Sequence, residues 1–247
     1  MQDDPFSQDY LLNGRIILRQ PVNGYRVAID PVFLAAAVPV KEGDTVLDIG
    51  AGVGAASLCL GLRQPRCKII GLEVQRDYVR LAAQNIELNQ MRDRIEMLHG
   101  DLLRPPPRLA AGTFTHVMTN PPYLETHRGK SSPIEDKKRA NQETDVDLES
   151  WARFCLLMVK PKGTITFIHR ADRLDHMLAF FAGKLGNVTI FPLWPGKGKA
   201  AKRILVSGIK NTSGPLKLSQ GMFLHEMDGR FTREAESVLR DGESIEI

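Results

Sequence analysis

The run FTHVMTNPPYLE, residues 114–125, closes an apolar strand-like stretch on Asn120, Pro121, Pro122 and Tyr123. A central strand seldom stops that way, because each proline removes a backbone donor and holds the residue before it extended. What is left is a row of acceptors without a competing N–H, an asparagine amide and an aromatic face. Three more groups of chemical interest also sit where an apolar run stops. VLDIGAGVG places Asp48, Gly50, Gly52 and Gly54 at one such end, where glycines let a ligand approach the backbone closely. Glu73 ends the next run, 23 residues beyond Gly50, a place from which a carboxylate accepts two hydrogen bonds from a ribose diol. Asp101, in LHGDLL, follows a third run and suits the exocyclic amine of an adenine. These features together describe a nucleoside-bearing cofactor. GAGVGA at 50–55 also satisfies the loose dinucleotide pattern. Asp48, two residues ahead of Gly50, decides against it: a carboxylate there repels a pyrophosphate and suits a cofactor carrying an ammonium and a sulfonium.

Such residues must be held by strand ends, and the hydrophobic pattern supplies them. Strands are predicted over 45–49, 68–72, 94–98, 115–119 and 164–168, with helical stretches after the first two. Alternating strands and helices give an α/β fold, a parallel sheet covered on both faces. A helix over 148–159 carries Trp151, Phe154, Cys155 and Met158 on one stripe, which reads as core. A second helix is predicted over 172–185, capped by Asp172 and stopping before Gly186. Stretches 188–193 and 203–209 are separated only by WPGKGKAAK, too short for a crossover, so an antiparallel hairpin is predicted there. The tail LHEMDGRFTREAESVLRDGE is expected to form a short helix over the edge.

Composition narrows the class. The chain has 247 residues, 43% hydrophobic and 25% charged, as expected of an ordinary globular protein. The polar, acidic start and the absence of an apolar run near the ~18 residues of a membrane span predict a cytoplasmic protein. Cys59, Cys67 and Cys155 are odd in number and widely spaced, which fits core filler and neither disulfides nor zinc. The histidines, His99, His116, His127, His169, His176 and His225, lack ligand spacing, so no metal is expected. The net charge of +4 is modest, but no Asp or Glu occurs from His176 to His225. That stretch carries Lys197, Lys199, Lys202 and Arg203, which place a basic loop at the end of the hairpin. A second basic group, Arg128, Lys130, Lys137, Lys138 and Arg139, follows the NPPY residues directly and reads as a mobile loop. Clustered cations of this kind neutralise phosphates, so a nucleic acid is the expected partner. Phe33, Phe191 and Trp194 fit a base-binding surface by type, but core packing is their expected place.

Taken in order, Asp48 with Gly50, Gly52 and Gly54, then Glu73, then Asp101, then Asn120-Pro121-Pro122-Tyr123 resemble the class I S-adenosylmethionine-dependent methyltransferases that act on planar amino nitrogens. The similarity spans residues 44–210. It implies a Rossmann-like, seven-stranded, mostly parallel sheet with its last strand antiparallel. By that resemblance the glycine loop, with Ala51, holds the methionine part of S-adenosyl-L-methionine. Glu73 with Val74 holds the ribose, and Asp101 with Leu102 the adenine. Residues 11–38 are similar to the N-terminal region of the tRNA1(Val) (adenine-37-N6)-methyltransferase family, which implies that Asp30 closes over the methionine end. The expected organisation is an N-terminal cap at 1–41, the catalytic domain at 42–210 and a tail at 211–247.

The resemblance gives the NPPY residues a physical reading. The lone pair of an exocyclic amine is delocalised into its ring, so the nitrogen is a poor nucleophile. If the Asn120 side-chain oxygen and the Pro121 carbonyl each accept one N–H, the nitrogen pyramidalises and presents its lone pair without a strong base. Asn120 then also borders the cofactor. Tyr123 offers a face on which an extracted base can stack. An adenine N6 of tRNA is the expected acceptor. A protein glutamine amide, guanine N2 of ribosomal RNA or adenine N6 of DNA would serve the same chemistry, and a non-enzymatic RNA-binding module is the third reading.

Overall fold

The structure, a computed structural model, describes residues 5–23, 26–122 and 147–247. Its main sheet contains seven strands of ordinary length: β3 (Thr45–Ile49), β4 (Lys68–Glu73), β5 (Ile95–His99), β6 (Phe114–Thr119), β7 (Val159–Arg170), β8 (Leu185–Trp194) and β9 (Arg203–Lys210). Two-residue strands β10 (Lys217–Leu218) and β11 (Met222–Phe223) add to the outer side of β8. The spatial order is β10-β8-β9-β7-β6-β3-β4-β5. β9 runs antiparallel to both β7 and β8, as the short connection required, and the remaining pairings are parallel.

Order along the sheet reverses between β3 and β6. Such a switch point opens a crevice at the carboxyl ends of the strands, where open α/β sheets bind ligands. Ile49 pairs with Leu72 on one side and Thr119 on the other, so Gly50, Glu73 and Asn120 each stand one step beyond this shared level.

Helices cover both faces. α1 (Asp30–Ala37), α2 (Ala55–Arg63) and α3 (Arg76–Leu88) share one core with Phe33, Leu34, Leu58 and Ile69. α4 (Leu148–Met158) and α5 (Leu174–Phe181) share the other with Trp151, Phe154, Phe167 and Phe181. α4 starts on Asp147, whose side chain accepts from the Ser150 N–H, and ends one residue short of the predicted 159 because Val159 is already strand. Cys59, Cys67 and Cys155 are buried and unbonded to one another.

Two expectations need correction. Asp172 does not cap α5: its carboxylate takes the guanidinium of Arg170, and a 3-10 turn over Ala171–Arg173 precedes the helix. That helix also stops at Phe181 instead of running to 185. Gly183 has φ 71°, the left-handed turn that ends the helix, and Leu185 begins β8.

The N-terminal segment holds a hairpin the pattern did not disclose, β1 (Phe6–Leu11) against β2 (Ile16–Pro21), turned by Leu12, Asn13 and Gly14 at positive φ. Its free edge is satisfied by side chains of α3 and of the residue that caps it. The Asn85 amide accepts from Arg19 N–H (2.8 Å) and donates to Arg19 C=O (2.9 Å), while Asn89 does the same for Ile17 at 2.9 and 2.7 Å. Two asparagines four apart lie on one helix face and imitate a neighbouring strand. Asn85 also donates to the Val53 carbonyl of the glycine loop at 3.0 Å, and so ties hairpin, helix and loop together. Asn85→Ala would strand buried backbone groups at three carbonyl or amide positions. The expected loss is about 2–4 kcal/mol in a urea melt, with faster proteolysis at the hairpin turn. Unaltered stability would show that the latch is ornamental.

In the tail, α6 (Arg233–Glu236) is capped by Thr232, whose hydroxyl accepts from Ala235 N–H. The chain then continues as a wide turn over Ser237–Asp241 and packs beside α1, where Ile245 N–H reaches the Ala36 carbonyl at 2.9 Å. No helix among the described residues is long and apolar enough to cross a membrane.

Candidate active site

The glycine loop is folded by its own backbone and by one acid. Gly50 N–H and Ala51 N–H both donate to the Leu72 carbonyl, at 2.8 and 3.1 Å, which bends the chain back over β4. Gly50, Gly52 and Gly54 have φ of 70°, 55° and 86°, a region closed to ordinary side chains. A Cβ built on Gly50 would lie 2.5 Å from the Trp151 ring, whereas one on Gly52 would meet nothing within 4 Å. The loop therefore rests on the Trp151 indole and leaves an open cradle at Gly52. Trp151, read from the sequence as core, is indeed buried, but its Nε1 has no hydrogen-bond partner among the described residues.

Glu73 straps this loop from the neighbouring strand. One carboxylate oxygen accepts from Gly52 N–H and the other from Gln75 N–H, both at 2.9 Å. Burial raises its pKa, and these backbone donors oppose the rise. Each oxygen keeps a second lone pair, so the strap and an expected diol contact are compatible. Val74, which follows, is exposed.

Asp48, at the end of β3 before the loop, is closed off from solvent. It is 1% exposed, and the Ser57 hydroxyl of α2 donates to it at 2.7 Å. Burial drives its pKa up to about 7; the Ser57 hydrogen bond resists that shift, and the negative charge of Glu73 adds to it. Asp101 stands past the end of β5, in the turn that reverses to Arg104, with Leu102 beside it and its carboxylate taking the Leu103 N–H at 2.9 Å.

Across the switch point, Thr119 fixes the place of the expected catalytic residues. Its buried hydroxyl donates to the Ile49 carbonyl at 2.8 Å, pinning the end of β6 to the end of β3. The next residue on each strand is Asn120 or Gly50. Asn120 is half-buried, Pro121 buried and Pro122 exposed. Tyr123, with Arg128, Lys130, Lys137, Lys138 and Arg139, lies outside the described residues.

On the other side of Asn120, β7 ends in His169 and Arg170. Arg170 is the cross-strand partner of Arg203, the first residue of β9. Sequence reasoning grouped Arg203 with the exposed lysines, but its Nε donates to buried Asp30 at 3.0 Å. Asp30 thus joins α1 to β9 beside the site. His169 is buried, and desolvation followed by the charges of Arg173, Arg170 and Arg203 pushes its pKa down to about 4, so it is neutral at physiological pH. Lys197, Lys199 and Lys202 are exposed on the β8–β9 loop. Among the described residues no group of three or more His, Cys, Asp and Glu is placed to hold a metal.

A sequence profile of the methyltransferase small domain family matches residues 26–136, which contain the glycine loop, Asp48, Glu73, Asp101 and the NPPY residues. This match spans somewhat less than half of the chain, and together with the fold it supports an S-adenosylmethionine-dependent methyltransferase. The match and the fold support S-adenosyl-L-methionine as cofactor. Among solved structures, a predicted O-methyltransferase from Agrobacterium tumefaciens superposes with a TM-score of 0.73 at 23% identity, over 88% of this chain and 99% of that one, which shows the shared fold. A Bacteroides thetaiotaomicron protein named tRNA1(Val) (adenine(37)-N6)-methyltransferase is 27% identical over 78% of this methyltransferase and 80% of its own length. A Dyadobacter fermentans protein of the same name is 27% identical over 63% of this chain, and the match spans 62% of the relative. The methyltransferase's own residues fit the cofactor: an open glycine cradle at Gly52, a carboxylate with spare acceptor capacity at Glu73, and the buried Asp48 carboxyl, which a cation would favour in its ionised form.

Proposed function

We propose that this methyltransferase modifies the exocyclic N6 of an adenine in tRNA. The observation that carries the proposal is the hydroxyl clamp between Thr119 and Ile49, which sets Asn120 and Pro121 directly across the switch point from the glycine cradle. The names of the relatives from Bacteroides and Dyadobacter support adenine N6 of tRNA as acceptor.

The cofactor supplies an electrophilic methyl group on a sulfonium. The chain's residues do the rest. Gly50 to Gly54 would receive the methionine part, Glu73 and Val74 the ribose, and Asp101 and Leu102 the adenine. The Asn120 side-chain oxygen and the Pro121 carbonyl accept the two N–H groups of the target amine, which draws its lone pair out of the ring. Positive charge then develops on nitrogen against fixed acceptors, the electrostatic counterpart of an oxyanion hole. Prolines at 121 and 122 keep donors away. The proton leaves after transfer, when the nitrogen is acidic, so no strong base is required; neutral His169 is not assigned that role. Tyr123 takes the face of the extracted base, and Arg128, Lys130, Lys137, Lys138 and Arg139, with the lysines of the β8–β9 loop, take phosphates.

Tritiated cofactor incubated with total tRNA, ribosomal RNA, DNA and release factor tests this reading. Label in tRNA, recovered as N6-methyladenosine after digestion, is expected. Label confined to protein or to DNA would overturn it.

A further inference from the structure

The catalytic edge does not end at Asn120. β9 is antiparallel to β7 and β8 to β9, so the carboxyl end of β8 emerges on the same edge as the NPPY residues, and β11 runs parallel beside it. Trp194 ends β8 and pairs in register with Phe223 of β11, their ring centroids 6.4 Å apart and their planes inclined by 35°. Sequence reasoning placed Trp194 in the core. It is instead only partly buried, and its indole N–H is fixed by the Gln220 carbonyl at 2.8 Å, while Phe223 is 45% exposed. Phe33 and Phe191, by contrast, are core residues.

Two aromatic rings stand side by side at a strand end, one of them nearly half exposed, and a flat face of this kind suits a planar ligand. Charge complementarity names it. The exposed Lys197, Lys199 and Lys202 leave from Trp194 on the β8–β9 loop, in a stretch with no acid between His176 and His225. The neighbouring turn carries two acids, Glu226 and Asp228, and the Asp228 carboxylate accepts from Arg230 at 2.7 Å. Aromatic faces interleaved with cations are the surface a single-stranded nucleic acid requires, phosphates on the lysines and a base on the ring. At ~4.8 Å per strand, β8 lies roughly 14 Å from β6, which is within reach of a nucleotide a few positions from the target.

We propose that Trp194 and Phe223 form a second base-binding platform, which stacks an unpaired RNA base flanking the methylated one. The proposal rests on the RNA reading of the catalytic site, but the test separates the two. A fluorescein-labelled single-stranded oligoribonucleotide is titrated into the full chain as wild type, Phe223→Ala, Phe223→Tyr and Met227→Ala. Met227, 92% exposed on the neighbouring turn, serves as the control. Phe223→Ala is expected to weaken binding about tenfold, with the salt dependence unchanged because no phosphate contact is lost. Phe223→Tyr keeps the stacking face and the affinity, and Met227→Ala changes nothing. The double variant Lys197→Glu/Lys199→Glu lowers the salt slope instead. Wild-type affinity in Phe223→Ala, or an equal loss in Phe223→Tyr, overturns the platform even if the protein methylates tRNA. A loss specific to Phe223→Ala in a protein that labels no RNA would keep the platform and discard the catalytic reading.

Discussion

Asn120→Ala is expected to lower kcat by about a hundred- to a thousandfold, the magnitude typical of deleting one preorganised electrostatic partner of a transition state. The cofactor should still bind, because the loop that would hold it is folded by Leu72, Glu73 and Trp151. The loss arises in the chemical step. Without the amide oxygen, one N–H of the target amine loses its acceptor and the lone pair stays delocalised. KM for RNA should change far less than kcat, since the interaction grows as the nitrogen acquires charge. Thr119→Val is the milder companion: it removes the 2.8 Å bond to the Ile49 carbonyl and keeps the volume, so Asn120 remains but its register against Gly50 loosens. Single-turnover rates for both variants with saturating cofactor give the readout. An Asn120→Ala protein that turns over like wild type would sink the assignment of NPPY as the reaction centre.

Much of this site was legible because its parts are local. Glycines after a short apolar run, acids at the next two strand ends and prolines at a fourth are each readable from a few residues, and a parallel sheet brings all such ends to one edge. The hairpin of β8 and β9 was legible for a similar reason, since WPGKGKAAK is too short to cross over. What stayed hidden depends on partners far apart in the chain. Asp30 and Arg203 are 173 residues apart, and nothing in either neighbourhood names the other. The β1–β2 hairpin was missed because β2 completes its pairing with side chains of α3 instead of another strand. The signal available was two asparagines, poor helix formers, placed four apart at the end of a helical pattern. Trp194 was misplaced because its exposure depends on β11, a two-residue strand too short to show any period. The burial of Asp48 and its bond from Ser57 of α2 were not legible either, because strand position alone does not say whether a helix covers a residue.

The buried acid makes a second, separable prediction. Asp48 in the unfolded chain titrates near its ordinary 3.8, whereas in the folded protein burial raises the value to about 7. The folded state therefore holds this proton more tightly. Its contribution to stability is fully present below pH ~4, shrinks as pH rises between the two values and levels off above ~7, a swing of at most about 4 kcal/mol. Glu73, also raised by burial, acts with the same sign. Asp48→Asn abolishes the titration. Its extra N–H donors bring a cost that does not vary with pH, so the informative quantity is the slope. Urea midpoints measured without cofactor should fall from pH 5 to pH 8 in the wild type and fall distinctly less in the variant. Cofactor binding follows the opposite sign, because the ammonium and sulfonium favour the ionised form. Wild-type affinity should rise from pH 6 to pH 8 with release of a proton, and Asp48→Asn should bind more weakly and without that rise. Ser57→Ala removes the 2.7 Å donor that holds the carboxylate ionised and should shift the wild-type profile to higher pH. Parallel pH slopes for wild type and Asp48→Asn, in both stability and affinity, would mean that Asp48 is paired well enough to ionise normally beneath the loop. Diverging slopes would mean that the folded apo protein keeps an ill-solvated carboxylate under its glycine loop, and that the cationic cofactor offsets the cost when it binds.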